Sequence, residues 1–463
     1  MKKRLLISSL IFTLIFVTLL FSSCSFLLTG LPTDTDSGDN SQSITDAYIN
    51  EKGELIITYS NGITESLGVV VGQDGKDGKD GIDGENGTNG VDGINGQNGK
   101  DGATVIVGEG SELAMSIASC IQSSVVIQCG FKTSYTSMTS DSFSGGSGVI
   151  YSHNKLAGDA IIITNYHVVH KISSITENGI SDDISVYLYG STASNQAIEA
   201  TYIGGSATYD LAVLKISNSD MIKNAEIKSI NIRNSGEMHV GDTAIAIGNP
   251  EASGFSVSSG IISVDSETIE MDSADGTGVK VNMRVMRIDT PVNSGNSGGG
   301  LFDSDGNLIG IVNAKIMASD VDNIAYAIPS STMSAVVDNI LYHCQGTDIE
   351  NVRRALLGVT VTITNPYSKY NTETGYVDLY ESCTVYEVPQ TGLAYGKLEV
   401  GDIIKEIHIT GSTEMSAEIT RQYKMLDILL YARAGDTVIL TVDRNGELLD
   451  IEFTITDSCI VNS

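Results

Sequence analysis

Short, almost wholly apolar runs alternate with glycine-rich and polar turns through most of the chain. Ile161-Ile162-Ile163 and Leu211-Ala212-Val213-Leu214 each predict a strand buried on both faces, because a half-buried strand would interleave polar residues. Val279 to Val285 does interleave them, which predicts one face in a core and one in water. Asp305-Gly306, between Leu301-Phe302 and Leu308 to Val312, predicts a hairpin, since this dipeptide adopts the positive φ angles of tight turns. Nearer the C-terminus, Val438 to Val442, a turn over 444–447 and Leu448 to Ile455 predict another, and 422–431 reads as a short helix. A smaller hairpin is expected from Glu54 to Tyr59, a turn at Asn61-Gly62, and Ile63 onward. Many short strands with such turns predict a mostly β fold of barrel type.

The N-terminal pattern differs. Met1-Lys2-Lys3-Arg4 is followed by an apolar run from Leu5 to Phe21, then Ser22, Ser23 and Cys24, the layout of an export signal over 1–23. Leu20-Phe21-Ser22-Ser23-Cys24 resembles a bacterial lipobox, with Phe21 departing from the usual leucine. That resemblance implies lipid on Cys24, a membrane anchor. An uncleaved helix is the alternative, and both readings hold the protein at the outer face of the bacterial cytoplasmic membrane. Residues 24–71 read as a tether, polar and disordered over 25–43 and carrying the small hairpin. From Gly72 to Gly102 glycine recurs at every third position, giving ten G-x-y triplets with no proline. That period suits a collagen-like triple helix, in which only glycine fits at the axis, or else an extended linker.

The chain has 463 residues, enough for two or three domains. Asp and Glu number 57 against 27 Lys and Arg, a net charge of −30, which excludes a nucleic-acid binder. Besides Cys24, the cysteines are Cys120, Cys129, Cys344, Cys383 and Cys459, without a C-x-x-C pair. They read as buried or free thiols, and no metal or cofactor is assigned.

Three segments carry chemistry in chain order: Thr164-Asn165-Tyr166-His167-Val168-Val169, Tyr209-Asp210-Leu211, and Asn293-Ser294-Gly295-Asn296-Ser297-Gly298-Gly299-Gly300. A serine hydroxyl is a weak nucleophile until an imidazole takes its proton, and a buried carboxylate must fix that imidazole's tautomer. The glycines let the loop turn so that backbone amides around Gly295, Asn296 and Ser297 form an oxyanion hole, with Gly295 and Ser297 as donors. Gly146-Ser147-Gly148-Val149-Ile150, Ala246-Ile247-Gly248-Asn249-Pro250 and Gly310-Ile311-Val312-Asn313 accompany them. Together these motifs resemble the trypsin-like serine proteases of the HtrA/Deg family. The resemblance implies a double β-barrel protease domain over 110–345, with His167 as general base, Asp210 as its orienter and Ser297 as nucleophile. Two departures are Ser294, three before the nucleophile, and Gly300, three after it, where the family pattern has proline. Asn296 replaces the aspartate that completes zymogen activation in digestive relatives, so no activating cleavage is expected. His153, His170 and His239 read as ordinary surface or turn residues.

Pro291 lies where the family places the base of its primary specificity pocket, with Ile311, Val312 and Asn313 on the strand beside the substrate. No charge is evident there, so cleavage after small or medium apolar residues is expected. Over 350–460, Gly392-Leu393 through Gly401-Asp402-Ile403-Ile404 and Leu356-Leu357-Gly358-Val359 resemble the peptide-binding segments of PDZ domains. That resemblance implies capture of peptide C-termini at Leu357, Gly358 and Val359. The combined expectation is a tethered endopeptidase for unfolded or misfolded envelope proteins, assembled as a homotrimer. A site-specific protease triggered by a bound peptide and a catalytically silent scaffold on a collagen-like stalk are the alternatives.

Overall fold

The computed structural model describes residues 44–69 and 109–462, except 53, 61, 136–137, 192–195, 250–253, 315–323 and 345–349. The signal segment, Cys24 and the G-x-y run lie outside the described residues. Residues 1–100 and 101–463 form two separate units.

In the first unit, β1 (Ile44–Ile49), β2 (Glu54–Tyr59) and β3 (Thr64–Val69) make an antiparallel sheet with β2 in the centre. The expected hairpin is β2–β3, with Gly62 at φ 81° in its turn. Strand β1 is an addition that the sequence pattern did not reveal.

The second unit opens with α1 (Glu109–Gln122), followed by β4 (Ser124–Tyr135), β5 (Met138–Asn154), β6 (Asp159–Thr164) and the one-turn helix α2 (Tyr166–Val169). Then come β7 (Asp183–Leu188), β8 (Ile198–Glu199), β9 (Thr201–Ser206), β10 (Leu211–Ile216) and α3 (Asp220–Asn224). These strands form one curled sheet in the order β9-β10-β6-β5-β4-β7-β8. The unbroken apolar runs have a simple cause. Strand β10 sends Ala212, Leu214 and Ile216 into the sheet's own core with Ile127 and Ile162. Its other face sends Leu211 and Val213 into a second core shared with Val149, Ile163, Ile245 and Phe302. Each such burial contributes roughly 1.5–3 kcal/mol.

A closed six-stranded barrel follows: β11 (Thr243–Gly248), β12 (Ser256–Asp272), β13 (Lys280–Ile288), β14 (Gly300–Phe302), β15 (Leu308–Asn313) and β16 (Ala325–Pro329). The Asp305-Gly306 turn joins β14 to β15 as expected, with Gly306 at φ 83°. After Pro329 the chain enters α4 (Ser330–His343), whose Met333, Val336, Val337 and Ile340 are fully buried in the shared core.

The chain then adds β17 (Glu350–Asn351), which pairs parallel with β9 and so becomes the eighth strand of the first sheet. Glu350 and Asn351 fall by sequence in the C-terminal module; hydrogen bonding places them with the first sheet. The module proper contains β18 (Arg353–Ala355), β19 (Thr360–Tyr370), β20 (Val377–Glu387), β21 (Ile403–Thr410), β22 (Met415–Glu418), α5 (Gln422–Leu429), β23 (Thr437–Arg444), β24 (Glu447–Thr454) and β25 (Ile460–Asn462). Its main sheet runs β19-β20-β21-β23-β24, over a core that includes Ile404, Ile407, Met425, Leu440 and Phe453. The expected β23–β24 turn has Asn445 and Gly446 at φ 56° and 89°, the two positive angles of a tight hairpin turn. Asn339 of α4 staples the module down. Its amide donates to Arg353 O and Leu430 O, each at 2.7 Å, and its carbonyl accepts from Arg353 N at 2.9 Å.

Candidate functional site

Strand β6 ends at Thr164, and the chain turns through Asn165 into α2, where Val168 and Val169 are buried and fix His167 above them. Across from it, Asp210 precedes β10 with φ 48°, a left-handed angle that aspartate tolerates better than most residues. Asn165 supports that turn by donating to Asp210 O at 2.8 Å. The result is a carboxylate aimed at one histidine. Asp210 Oδ2 lies 2.7 Å from His167 Nδ1, and Oδ1 accepts the His167 backbone amide at 3.0 Å. Asn313, at the end of β15, donates its side-chain amide to Oδ2 at 2.8 Å. The Asp210 side chain is 1% exposed, so these donors replace the water that an ionised carboxyl would otherwise need.

The third segment is a loop pinned from the opposite sheet. Ser147 of β5 donates its backbone amide to Ser297 O at 2.8 Å and its hydroxyl to Gly295 O at 2.7 Å. Its hydroxyl also accepts Asn249 N at 2.9 Å, so one serine ties two loops of the closed barrel to β5. Gly295 and Gly298 take φ 98° and 81°; a β-carbon at Gly298 would run into Thr164 Oγ1 and Ser147 O. Among the described residues, the amides of Gly295 and Ser297 have no hydrogen-bond acceptor, while Asn296 N donates to Asn293 O at 3.0 Å. Asn296, which the sequence grouped with the oxyanion-hole residues, is therefore spent on the turn that holds the other two. No hydrogen bond joins the Ser297 hydroxyl to the His167 ring among the described residues.

The three predicted segments are thus brought onto two facing sheets. An imidazole with one nitrogen held by a carboxylate keeps the other free to accept a proton, and two vacant amides beside a serine can receive an oxyanion. Asn313 and Ser147 complete the arrangement. Asn313 had been read only as a residue beside the substrate and Ser147 only as part of a motif. Of the expected pocket residues, Ile311 and Val312 are fully buried in cores and Ser258 Oγ donates to Pro291 O at 2.6 Å.

Residues 146–311 match the family model described as "Trypsin-like peptidase domain". "Serine protease Do-like HtrA" of Bacillus subtilis (strain 168) is 31% identical over 334 residues, covering 68% of this chain and 65% of that protein. "Serine protease Do-like HtrA" of Lactococcus lactis subsp. cremoris (strain MG1363) is 31% identical over 317 residues, covering 66% of this chain and 69% of that protein. The chain belongs to the HtrA family of Do-like serine proteases. It spans 65% and 62% of the lengths of two Bacillus subtilis relatives, HtrA and HtrB. The solved structure "HtrA-type protease AlgW with decapeptide" aligns with 74% of this chain and 98% of its own at 25% identity, with a TM-score of 0.48.

In this HtrA-family chain a second feature lies between the closed barrel and the C-terminal module. A cleft of about 880 Å³ is lined by Leu357, Gly358, Val359, Met425 and Leu429 on the module and by Arg284 of β13 across from them. Strand β19 is the edge of its sheet and borders the cleft. Gly358 sits at φ 72° with its α-carbon against Gly392, too close for any side chain. Two ion pairs bridge the sides, Arg284 to Asp427 at 2.6 Å and Arg421 to Asp265 at 2.9 Å, and Glu381 of the module's own β20 lies 3.2 Å from Arg421. The Tyr423 ring lies under the Arg284 guanidinium, 3.5 Å from it.

Two of the histidines set aside are less ordinary than their sequence contexts. His170 stacks on Tyr166 at 5.0 Å, and His239 stacks on Tyr376 of the module at 4.0 Å while its Nε2 faces Asp378 at 3.2 Å. His153 pairs with Ser229. The described cysteines are free thiols, and burial pushes those of Cys120, Cys129 and Cys383 up to about 12, which leaves them unreactive.

Proposed function

We propose that this chain is an exported serine endopeptidase that cleaves unfolded or damaged envelope proteins. The observation that carries this reading is the 2.7 Å contact between His167 Nδ1 and Asp210 Oδ2, set opposite a serine loop with two unengaged amides. In this reading His167 takes the Ser297 proton as the hydroxyl attacks a peptide carbonyl. Asp210 stabilises the resulting imidazolium, and the Gly295 and Ser297 amides hold the oxyanion, a contribution of about 3–4 kcal/mol per donor. His167 then returns the proton to the leaving amine, and water releases the acyl group by the same route. Apolar residues at the cleavage point are exposed in unfolded chains and buried in folded ones, which makes conformation the selector.

The C-terminal module acts in this reading as a PDZ domain. A peptide C-terminus adds as a strand to β19, with its carboxylate at the Leu357-Gly358-Val359 loop. Lipid on Cys24 and the tether hold the enzyme at the outer membrane face, in groups of three. Unfolded casein tests the activity: wild-type digestion with no digestion by Ser297→Ala supports the reading, and equal digestion by both ends it. A site-specific, peptide-triggered protease is the second reading. It is favoured by the cleft, whose far wall belongs to the barrel that carries Ser297. Casein cleavage that appears only when a C-terminal peptide is added would select it.

A further inference from the structure

Strand β5 has a free edge that begins at the serine loop. Its register with β4 is unbroken, with Val126 opposite Ser147, Gln128 opposite Gly145 and Gly130 opposite Phe143. In an antiparallel ladder the backbone groups of every second residue point to the same side. Ser147 turns its amide away from β4, to Ser297 O at 2.8 Å. Gly145 and Phe143 therefore turn their N–H and C=O groups to that side as well. Strand β6 takes this edge only from Val149 onward. Among the described residues, neither Gly145 nor Phe143 has a backbone partner there.

The side chains follow the same alternation. Asp141, Phe143 and Gly145 are exposed, whereas Ser142 and Ser144 between them are half-buried. Phe143 is 78% exposed. One exposed ring means little by itself, but this one stands on an unpaired edge, four residues from the anchor of the serine loop.

The chemistry indicates what pairs there. The bond to be cut lies at the Ser297 hydroxyl, and His167 hands its proton to the departing amine. The segment beyond that bond thus leaves from between Ser297 and His167. Lys171, four residues after His167, donates to Ser142 Oγ at 2.9 Å and closes the histidine's loop onto β5. Gly145 leaves the path clear, since a β-carbon there would meet only Ile127 O, at 4.0 Å. A chain leaving Ser297 along this edge runs antiparallel to β5, which travels from Phe143 towards Ser147. At about 3.4 Å per residue, Phe143 stands roughly 14 Å along the strand from Ser147, within reach of the first three leaving residues.

We propose that Phe143 is a specificity-determining residue for the leaving side of the substrate. The segment beyond the cleaved bond adds to the free edge of β5 as an antiparallel strand. An apolar residue among its first three is preferred, because it pairs across the strands with the Phe143 ring. The inference rests on the proposed Ser297–His167 chemistry, but not on the C-terminal module, the lipid or the tether.

Two kinds of substrate with one shared acyl half, ending in valine, test it. The first is a p-nitroanilide with no leaving residues. The second carries a leaving segment of serines with a single leucine placed first, second or third, beside an all-serine control. The full-length wild type should cleave one of the leucine peptides at least about fivefold faster than the control, by kcat/KM. Phe143→Ala should erase that preference and Phe143→Leu should keep part of it. Hydrolysis of the anilide, which never reaches β5, should change less than about twofold in either variant. A wild type indifferent to all three leucine positions would overturn the proposal, as would a preference that survives Phe143→Ala. An equal loss on the anilide would overturn it too, by showing that Phe143 only supports the fold. Indifference to leucine, together with loss of self-association in Phe143→Ala, would assign the edge to a second copy instead. If the wild type leaves the anilide and every peptide intact, the Ser297–His167 reading itself fails, and this proposal with it.

Discussion

Asn313 and Asp210 are 103 positions apart, and the Asn313 side-chain amide donates to Asp210 Oδ2 at 2.8 Å. That oxygen also faces the His167 ring, so the last residue of β15 and the catalytic-type histidine share one acceptor. Hydrogen bonds to charged groups contribute about 1.5–3 kcal/mol. Asn313→Ala should therefore lower kcat by about tenfold or more, with KM changed far less, while Asn313→Ser keeps part of the rate. Steady-state hydrolysis of a peptide across pH checks this. An unchanged kcat with an unchanged pH profile would reduce Asn313 to a packing role.

The three residues of the proposed triad should act as one unit. Ser297→Ala, His167→Ala and Asp210→Asn are each expected to reduce kcat by about 10⁴-fold or more, and the double variants should lose little beyond the singles. Additive losses would contradict the assignment.

Ser147 tests the loop rather than the chemistry. Ser147→Ala removes the hydroxyl that donates to Gly295 O and accepts Asn249 N. Each bond contributes about 1 kcal/mol, so a tenfold to thirtyfold loss in kcat is expected with the fold retained. Retained full activity would mean that the backbone bond from Ser147 N to Ser297 O holds the loop alone.

Gly358→Ala addresses the proposed peptide groove. At φ 72° and against Gly392, a methyl group must displace backbone, at a cost of at least about 1–2 kcal/mol. Binding of a fluorescent peptide with a free C-terminal carboxylate should be lost, and peptide-independent casein cleavage should persist. Undiminished binding would move the carboxylate site elsewhere.

Acid should weaken the C-terminal module. Burial resists ionisation of Asp402, but the Arg444 guanidinium, at 2.8 and 2.7 Å, and the Glu399 amide outweigh it and hold the carboxyl below its ordinary value. A depressed folded value gives stability that is complete above the unfolded carboxylate range and lost as pH falls through the folded one. Asp402→Asn should thus cost about 1.5–3 kcal/mol at neutral pH and flatten the acid limb of the melting curve. An unchanged acid limb would show that other carboxylates govern it.

His167, Asp210 and Ser297 were legible because each lies in a contiguous pattern: a buried strand before a histidine, an aspartate before another, a serine among glycines. Strands β6, β10, β23 and β24 were legible because their apolar residues and turn glycines are local signals. Asn313 and Ser147 were not, since their roles come from contacts made across the chain after folding. Helix α4 was missed because its buried side, Met333 to Ile340, reads as little more than an apolar stretch bounded by Pro329. His239 gave no signal because its partner Tyr376 comes from the other module.

Strand β17 belongs to one domain by sequence and to another by hydrogen bonds. Cutting the chain within 345–349 to obtain a free protease domain would strip that strand and leave the outer rim of β9 unsatisfied. A bare rim of this kind invites another chain to add itself there. The practical border between the two domains therefore lies after Asn351, and a shortened enzyme ending before it should be prone to stick to its own copies.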